Sequence, residues 1–123
     1  MKPRITVITL GVADLERAVR FYRDGLGLST PGIVGAEFEH GAVAFFDLEG
    51  GLRLALWPRA SIAHDTGIPP GRPNATELTI GHNVSSKREV DARRTERTHG
   101  CESPADTSSQ RVRTVVSTLA SCT

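Results

Sequence analysis

Hydrophobic positions follow two different periods along the first part of the chain. Residues 4–12 are apolar and largely β-branched, which predicts a buried strand. Beyond them, apolar side chains recur at the i, i+3, i+4, i+7 spacing of an amphipathic helix, at Leu15, Ala18, Val19 and Tyr22. Asp14 is predicted to cap this helix at its start and Gly25 at its end. The pattern therefore predicts a strand followed by a helix with one core-facing stripe.

Three further strands are predicted after the helix, over residues 32–40, 42–48 and 52–57. The glycines of Glu49-Gly50-Gly51 allow a tight turn between the last two strands. The order strand, helix, strand, strand, strand defines a βαβββ module, which we assign to residues 1–59. The predicted fold class is α+β.

A second copy of this module begins after a linker. Residues 60–74 contain three prolines and two glycines, which predict a linker or surface loop. Residues 75–81 repeat the pattern of residues 5–11 at a constant offset of 70. Ser86 and Glu89 then have the spacing of a capping box, which predicts a second helix. Residues 75–92 are therefore predicted to start a second module.

The second copy loses its pattern after residue 92. Of the four positions that correspond to the stripe of the first helix, only Val90 is suited to a core. No aromatic residue follows Trp57, and the last part of the chain is rich in Ser, Thr and Arg, a composition typical of disorder. We therefore predict a poorly structured tail over residues 93–123, in which residues 112–119 could form one strand. Because the pattern ends abruptly inside a helix, a shifted reading frame is one hypothesis for this tail.

The charge balance and the cysteines narrow the function classes. The chain has 123 residues, with 15 basic against 14 acidic side chains and a formal net charge of +1, which argues against a nucleic-acid partner. No apolar run reaches the roughly 18–20 residues that span a membrane, and no export signal is recognised at the N-terminus. Cys101 and Cys122 are expected to be free thiols, with a disulfide as the alternative. A cytoplasmic protein without nucleic-acid or membrane partners is expected.

Residues 11–22 carry a family resemblance. They resemble the V-x-D-L-x-x-(S/A)-x-x-F-Y signature of the vicinal oxygen chelate superfamily, and the glycine-bounded residues 25–28 that follow are typical of it. This superfamily includes glyoxalase I, extradiol dioxygenases, fosfomycin-resistance enzymes and bleomycin-binding proteins. The resemblance covers about residues 4–92. It implies paired βαβββ modules whose sheets curl around a shared cup, here with one complete module and an incomplete second one.

The resemblance also implies where a metal would bind. Metal enzymes of the superfamily place one ligand on the first strand of each module and another on the last strand. In this chain the first slot falls on Val7 and the second on Ala55, or on Leu54 if the register differs by one residue, and none of these has a donor atom. The third slot falls on Glu77, a competent oxygen ligand. The fourth belongs to a strand that the sequence lacks, so we expect no metal cofactor.

Strand alternation suggests a binding face. In residues 52–57 the leucines are predicted to pack under the helix, which places Arg53 and Trp57 on the opposite, concave face. Adding the first strand and its repeat gives five predicted substrate-binding residues: Thr9, Arg53, Trp57, Glu77 and Thr79. Such a face suits a flat or anionic small molecule. The alternative is that these are the ordinary side chains of amphipathic strands without a binding role, with Glu77 on the solvated side of a half-exposed strand.

The four histidines do not cluster at metal-ligand spacing. His40 ends a predicted strand, and His64 lies beside Asp65 in the predicted linker, from which it could swing over a pocket. His82 is out of phase with Glu77 and is expected to point away from the cup, and His99 lies in the tail. No catalytic residue is assigned.

Three functions remain open from the sequence. The favoured one is metal-independent binding of a small organic molecule by a glyoxalase/bleomycin-resistance-like protein. The second is a metal-dependent lyase or dioxygenase of the same superfamily, and the third is a truncated or frame-shifted product without activity. An uncovered half-sheet would favour pairing with another chain, which leaves a homodimer open.

Overall fold

A computed structural model describes residues 1–72, 78–83, 85–89, 92 and 114–118. The chain divides into two compact units, one over Met1–Arg72 and the other over Pro73–Cys122. The first unit contains a four-stranded sheet and two α-helices, and the second contains a two-stranded sheet.

The first unit is a βαβββ module followed by one more helix. Its regular elements are β1 (Val7–Val12), α1 (Leu15–Arg20), β2 (Ile33–Val34), β3 (Val43–Asp47), β4 (Arg53–Pro58) and α2 (Arg59–Thr66). The strand order is β1-β4-β3-β2, with β1 parallel to β4 and the other neighbours antiparallel. The predicted α+β class and the predicted first module are confirmed.

Helix α1 begins where the sequence predicts. The carboxylate of Asp14 accepts a hydrogen bond of 2.9 Å from the backbone N–H of Arg17, so it satisfies one of the unpaired donors of the first turn. The predicted stripe is buried, at Leu15, Ala18, Val19 and Tyr22. The local helical period therefore sets the core-facing side of α1 correctly.

The core lies between α1 and one face of the sheet. The register pairs Leu56 with Ala44 and Leu54 with Phe46, so these four side chains point to the same side, and all four are buried. The ring of Tyr22 packs on that of Phe46, with 5.7 Å between their centroids. Full burial of a side chain such as that of Phe46 stabilises the fold by about 1.5–3 kcal/mol.

The end of α1 differs from the prediction. Gly25 does not cap the helix, because the chain continues through a π-helical turn, Phe21–Gly25, in which the N–H of Leu26 donates to the carbonyl of Phe21 at 3.1 Å. The left-handed residue that ends the turn is Gly27, with φ of 69°. A π-helical turn contains one residue more than an α-helical turn, so the helical segment ends after Gly25. The spacing of the apolar residues does not reveal this extra residue.

The strand predicted over residues 32–40 is wrong beyond its first residues. Strand β2 ends at Val34, and the chain then turns through residues 35–41, named the 35–41 loop. Gly35 has φ of 73°, and a Cβ on it would lie 2.6 Å from the carbonyl oxygen of Gly41. This close approach of two backbones requires glycine at Gly35 and ends the strand, although the side chains between them alternate as in a strand.

The linker predicted over residues 60–74 is also wrong in its first half. Residues Arg59–Thr66 form helix α2, which ends at Gly67 in the left-handed conformation, with φ of 70°. The prolines and glycines that suggested a linker all lie at or after Gly67. Composition averaged over fifteen residues therefore hid a short helix that precedes the helix-breaking residues.

The second unit contains strand β5 (Thr79–Asn83) paired antiparallel with β6 (Thr114–Thr118). Strand β6 falls where the tail was expected to allow a strand. One half of the predicted capping box is formed, since the N–H of Glu89 donates to the hydroxyl of Ser86 at 3.2 Å; the Glu89 carboxylate accepts from the N–H of Ser85, at 3.1 Å, rather than from that of Ser86. The remaining expectations for residues 93–113 and 119–123, with Cys101, Cys122 and His99, lie outside the described residues. In the part of the chain that is described, no helix is long and apolar enough to cross a membrane.

We expect Phe46→Ala to lower the free energy of unfolding by about 3–5 kcal/mol, because it opens a cavity between α1 and the sheet. Phe38→Ala is the matched control. It is the same substitution at a side chain that is 67% exposed, in the 35–41 loop, and a surface change of this kind costs about 0.5 kcal/mol or less. Urea denaturation of the three proteins measures both values, and equal losses would show that the core is not where the structure places it.

A second prediction concerns Tyr22, the only tyrosine of the chain. Burial raises the pKa of its phenol above the ordinary value. The unfolded chain ionises this phenol near pH 10 while the folded chain keeps it protonated, so the contribution to stability is full below pH 10 and lost as the pH rises above it. Above about pH 10, Tyr22 should lower the free energy of unfolding of the wild type by up to about 1.4 kcal/mol per pH unit. Tyr22→Phe should remove this loss. Unfolding free energies measured on both sides of pH 10 test this, and an identical pH dependence of the two proteins would contradict it.

Candidate ligand-binding face

The face of the sheet opposite α1 carries the predicted site. It is named the open face and is defined by the alternate side chains of β1, β4 and β3, at Val7, Thr9, Gly11, Arg53, Ala55, Trp57, Val43, Phe45 and Asp47. The register aligns Thr9 with Ala55 and Ala55 with Phe45 across three strands. Of these, Thr9 is exposed, Phe45 is half-buried, and the small Ala55 between them is buried. In the middle of the open face, Ala55 thus has a hydroxyl on one side and a ring on the other.

The guanidinium of Arg53 contacts two neighbouring side chains. Its Nε donates a 2.7 Å hydrogen bond to the carboxylate of Asp47, the residue opposite it on β3, and its guanidinium lies 5.4 Å from the ring centroid of Phe45. Both members of the ion pair are exposed, so the pair contributes about 0–1 kcal/mol to stability. The Asp47 carboxylate offsets the charge of Arg53, so the geometry favours the flat ligand over the anionic one.

Trp57 is fixed at the opposite end of the open face. Its indole N–H donates a 3.0 Å hydrogen bond to the backbone carbonyl of His40, in the 35–41 loop. Trp57 is half-buried, and the hydrogen bond sets the orientation of its ring. His40 has φ of 58°, a left-handed conformation that is uncommon for a residue other than glycine.

Helix α2 covers this end of the face. A Cβ on Gly11 would lie 3.1 Å from Cδ1 of Ile62 and 3.2 Å from Cγ of Arg59, so the absence of a side chain at Gly11 lets α2 approach β1. From α2, the ring of His64 stacks on that of His40, with centroids 4.2 Å apart and planes inclined by 21°. The sequence analysis missed this contact, because it assigned His40 to a strand and His64 to a linker.

The predicted site residues divide between the two units. The register places Thr9, Arg53 and Trp57 on one face of the first unit, and their part in binding remains a prediction. Thr79 lies in β5, in the second unit, and Glu77 lies outside the described residues. His82 is exposed in the same strand.

The donor set of the first unit does not fit a metal ion. Val7 and Ala55 both lie on the open face, where the resemblance implies ligands, and neither has a donor atom. The described residues contain no group of three His, Cys, Asp or Glu side chains that could hold a metal ion. His40 and His64 supply two imidazoles, but a catalytic divalent ion usually takes three protein ligands.

A family model, the Glyoxalase/Bleomycin resistance protein/Dioxygenase superfamily, matches residues 4–100. The chain therefore belongs to this superfamily. The match extends past residue 92, where the sequence analysis ended the resemblance. No curated protein sequence matches the chain.

Three solved structures resemble the chain in fold. A glyoxalase-related enzyme from Fulvimarina pelagi is 28% identical, with a TM-score of 0.62 over 79% of this chain and 64% of its own. A glyoxalase/bleomycin resistance protein/dioxygenase from Nocardioides is also 28% identical, with a TM-score of 0.60 over 80% of this chain and 62% of its own. A hypothetical protein from S. aureus, 18% identical, shares the fold with a TM-score of 0.62 over 80% of this chain and 70% of its own. The chain thus spans less than two thirds of the first two proteins.

We expect the purified protein to contain no stoichiometric zinc, nickel, manganese or iron, because two of the implied ligand positions are Val7 and Ala55. Elemental analysis of the protein measures this directly. A content of about one metal ion per chain that is lost in Glu77→Gln and retained in Glu49→Gln, a carboxylate outside the implied slots, would contradict the expectation.

Proposed function

We propose that the chain binds a small, flat organic molecule on the open face, without a metal ion. The observation that supports this most directly is the row Thr9–Ala55–Phe45, flanked by Arg53 and Trp57. Phe45, beside Ala55 on the neighbouring strand, and Trp57, two residues further along β4, offer aromatic surfaces for stacking, and Thr9 on the other side of Ala55 offers a hydroxyl for one directional hydrogen bond.

The alternative is that these side chains have no binding role and only form the outer face of a sheet that packs against a helix on its other face. Two features favour binding over it. Trp57 is oriented by a hydrogen bond rather than left free, and the guanidinium of Arg53 is held over Phe45 by Asp47. Side chains that are oriented before a ligand arrives lose less conformational entropy when it binds.

The alternative enzymatic function has support only from similarity. The protein from Fulvimarina pelagi is described as a glyoxalase-related enzyme. At the implied first-unit positions, however, Val7 and Ala55 supply no metal ligand, and the residue paired with Thr9 is Ala55, which cannot act as a base. A homodimer remains a proposal too, and the exposed apolar side chains near β1, at Ile5, Val7 and Ile8, support it.

Binding of 2-naphthol, a flat uncharged probe, tests the proposal. Trp57 is the only tryptophan, so the NMR resonance of its indole N–H reports on this face. We expect 2-naphthol to shift this resonance, with a dissociation constant of about 1 mM or tighter, and cyclohexanol, which is not flat, to have no effect. Phe45→Leu should weaken binding by roughly 3–10-fold, the value of one aromatic contact.

Phe38→Leu is the matched control, since Phe38 is an exposed aromatic residue that is not among the residues that define the open face. It should leave the affinity unchanged. The proposal fails if 2-naphthol does not perturb Trp57, or if the Phe38 and Phe45 variants bind it equally. Turnover of a substrate that requires an added metal would instead support the enzymatic alternative.

A further inference from the structure

Two separate segments meet at the Trp57 end of the open face. The 35–41 loop contributes His40 and helix α2 contributes His64, and their imidazole rings stack at 4.2 Å between centroids, with 21° between their planes. Neither histidine has a part in the proposed binding surface. The stack nevertheless joins the two segments that border Trp57.

The contacts run in series from α2 to the indole. Helix α2 rests on β1 at Gly11, where a side chain would be too close to Ile62. His64 on this helix stacks on His40, and the carbonyl of His40 accepts the hydrogen bond from Nε1 of Trp57. His40 has a left-handed backbone, which for a residue other than glycine persists only where surrounding contacts hold it.

We propose that His64 is a positioning residue for Trp57, and that the His40–His64 stack is a proton-sensitive clasp at this end of the open face. While at least one imidazole is neutral, the rings stack and the His40 carbonyl stays in place. When both are protonated, two positive charges face each other across the stack and the loop separates from α2. The link to ligand binding rests on the proposed function, but the clasp itself does not.

The surrounding charges do not cancel this repulsion. The closest carboxylate is that of Glu39, 3.8 Å from Nε2 of His40, and its side chain is 91% exposed. The other charged groups on the two segments are Glu37 on the loop and Arg59 and Asp65 on α2. On β4, Arg53 is paired with Asp47. One solvated carboxylate beside His40 can offset one of the two charges, and water and salt weaken its effect.

The test is the emission of Trp57 as a function of pH, without ligand. As the pH is lowered from about 8 to about 5, the wild-type emission should change in one transition, from an indole hydrogen-bonded to the His40 carbonyl to a released indole, because histidine is the side chain that gains its charge over this span of pH. Far-UV circular dichroism must stay constant across the transition, since only the clasp opens. The absence of a transition in the wild type would overturn the proposal.

Three variants separate the stack from other causes. His64→Phe keeps a flat ring over His40 but cannot be protonated, so the transition should be lost and the emission should stay that of the wild type at high pH. His64→Ala removes the stack, so the emission should match the acid form of the wild type at every pH. His82→Gln, which changes an exposed histidine in the second unit, should behave as the wild type.

Other patterns would overturn the proposal. A transition that persists in His64→Phe would show that protonation of His40 alone, beside Trp57, alters its emission. An unchanged high-pH emission in His64→Ala would show that the stack does not position the indole. Because no probe is added, a failure of the clasp and a failure of 2-naphthol binding give different results.

Discussion

The packing of helix α1 on one face of the four-stranded sheet determines which side chains of the first unit lie on the opposite face. Successive side chains of a strand point to opposite faces. Once Phe46, Leu54 and Leu56 are buried under α1, the residues between them must lie on the other face. The same hydrophobic burial that holds the module together therefore aligns Arg53 and Trp57 with Thr9 on the adjacent strand. The candidate site follows from the core.

Local periodicity explains what could be predicted. The stripe of α1, its Asp14 cap and the alternation along β4 each depend on residues within a few positions of one another, and all three agree with the structure. Two of the three errors in the elements depend on more distant information. The turn after β2 is imposed by the contact between Gly35 and Gly41, and α2 was masked by the prolines that follow it.

The site was predicted in part for the same reason. Strand alternation indicates which side chains share a face, and the Glu49–Gly51 turn could have suggested that Asp47 and Arg53 pair across the hairpin. The stack of His40 on His64 could not have been inferred, because it requires both the left-handed backbone of His40 and the helix that carries His64. The lack of metal donors at Val7 and Ala55 needed only the sequence, together with the resemblance that identified these positions.

The parallel pairing of β1 with β4 also affects the order in which the strands of the first unit pair during folding. Strands β3 and β4 are joined by a short turn and can pair as soon as both have left the ribosome, whereas Val7 must wait for Arg53, its partner 46 residues later (53 − 7). Closing a loop of this length costs about 3 kcal/mol in chain entropy before the contacts repay it. Strand β1 is therefore the last of the four strands of this sheet to be secured. Until then its apolar side chains are exposed, which makes the nascent chain most vulnerable to aggregation before the module is complete.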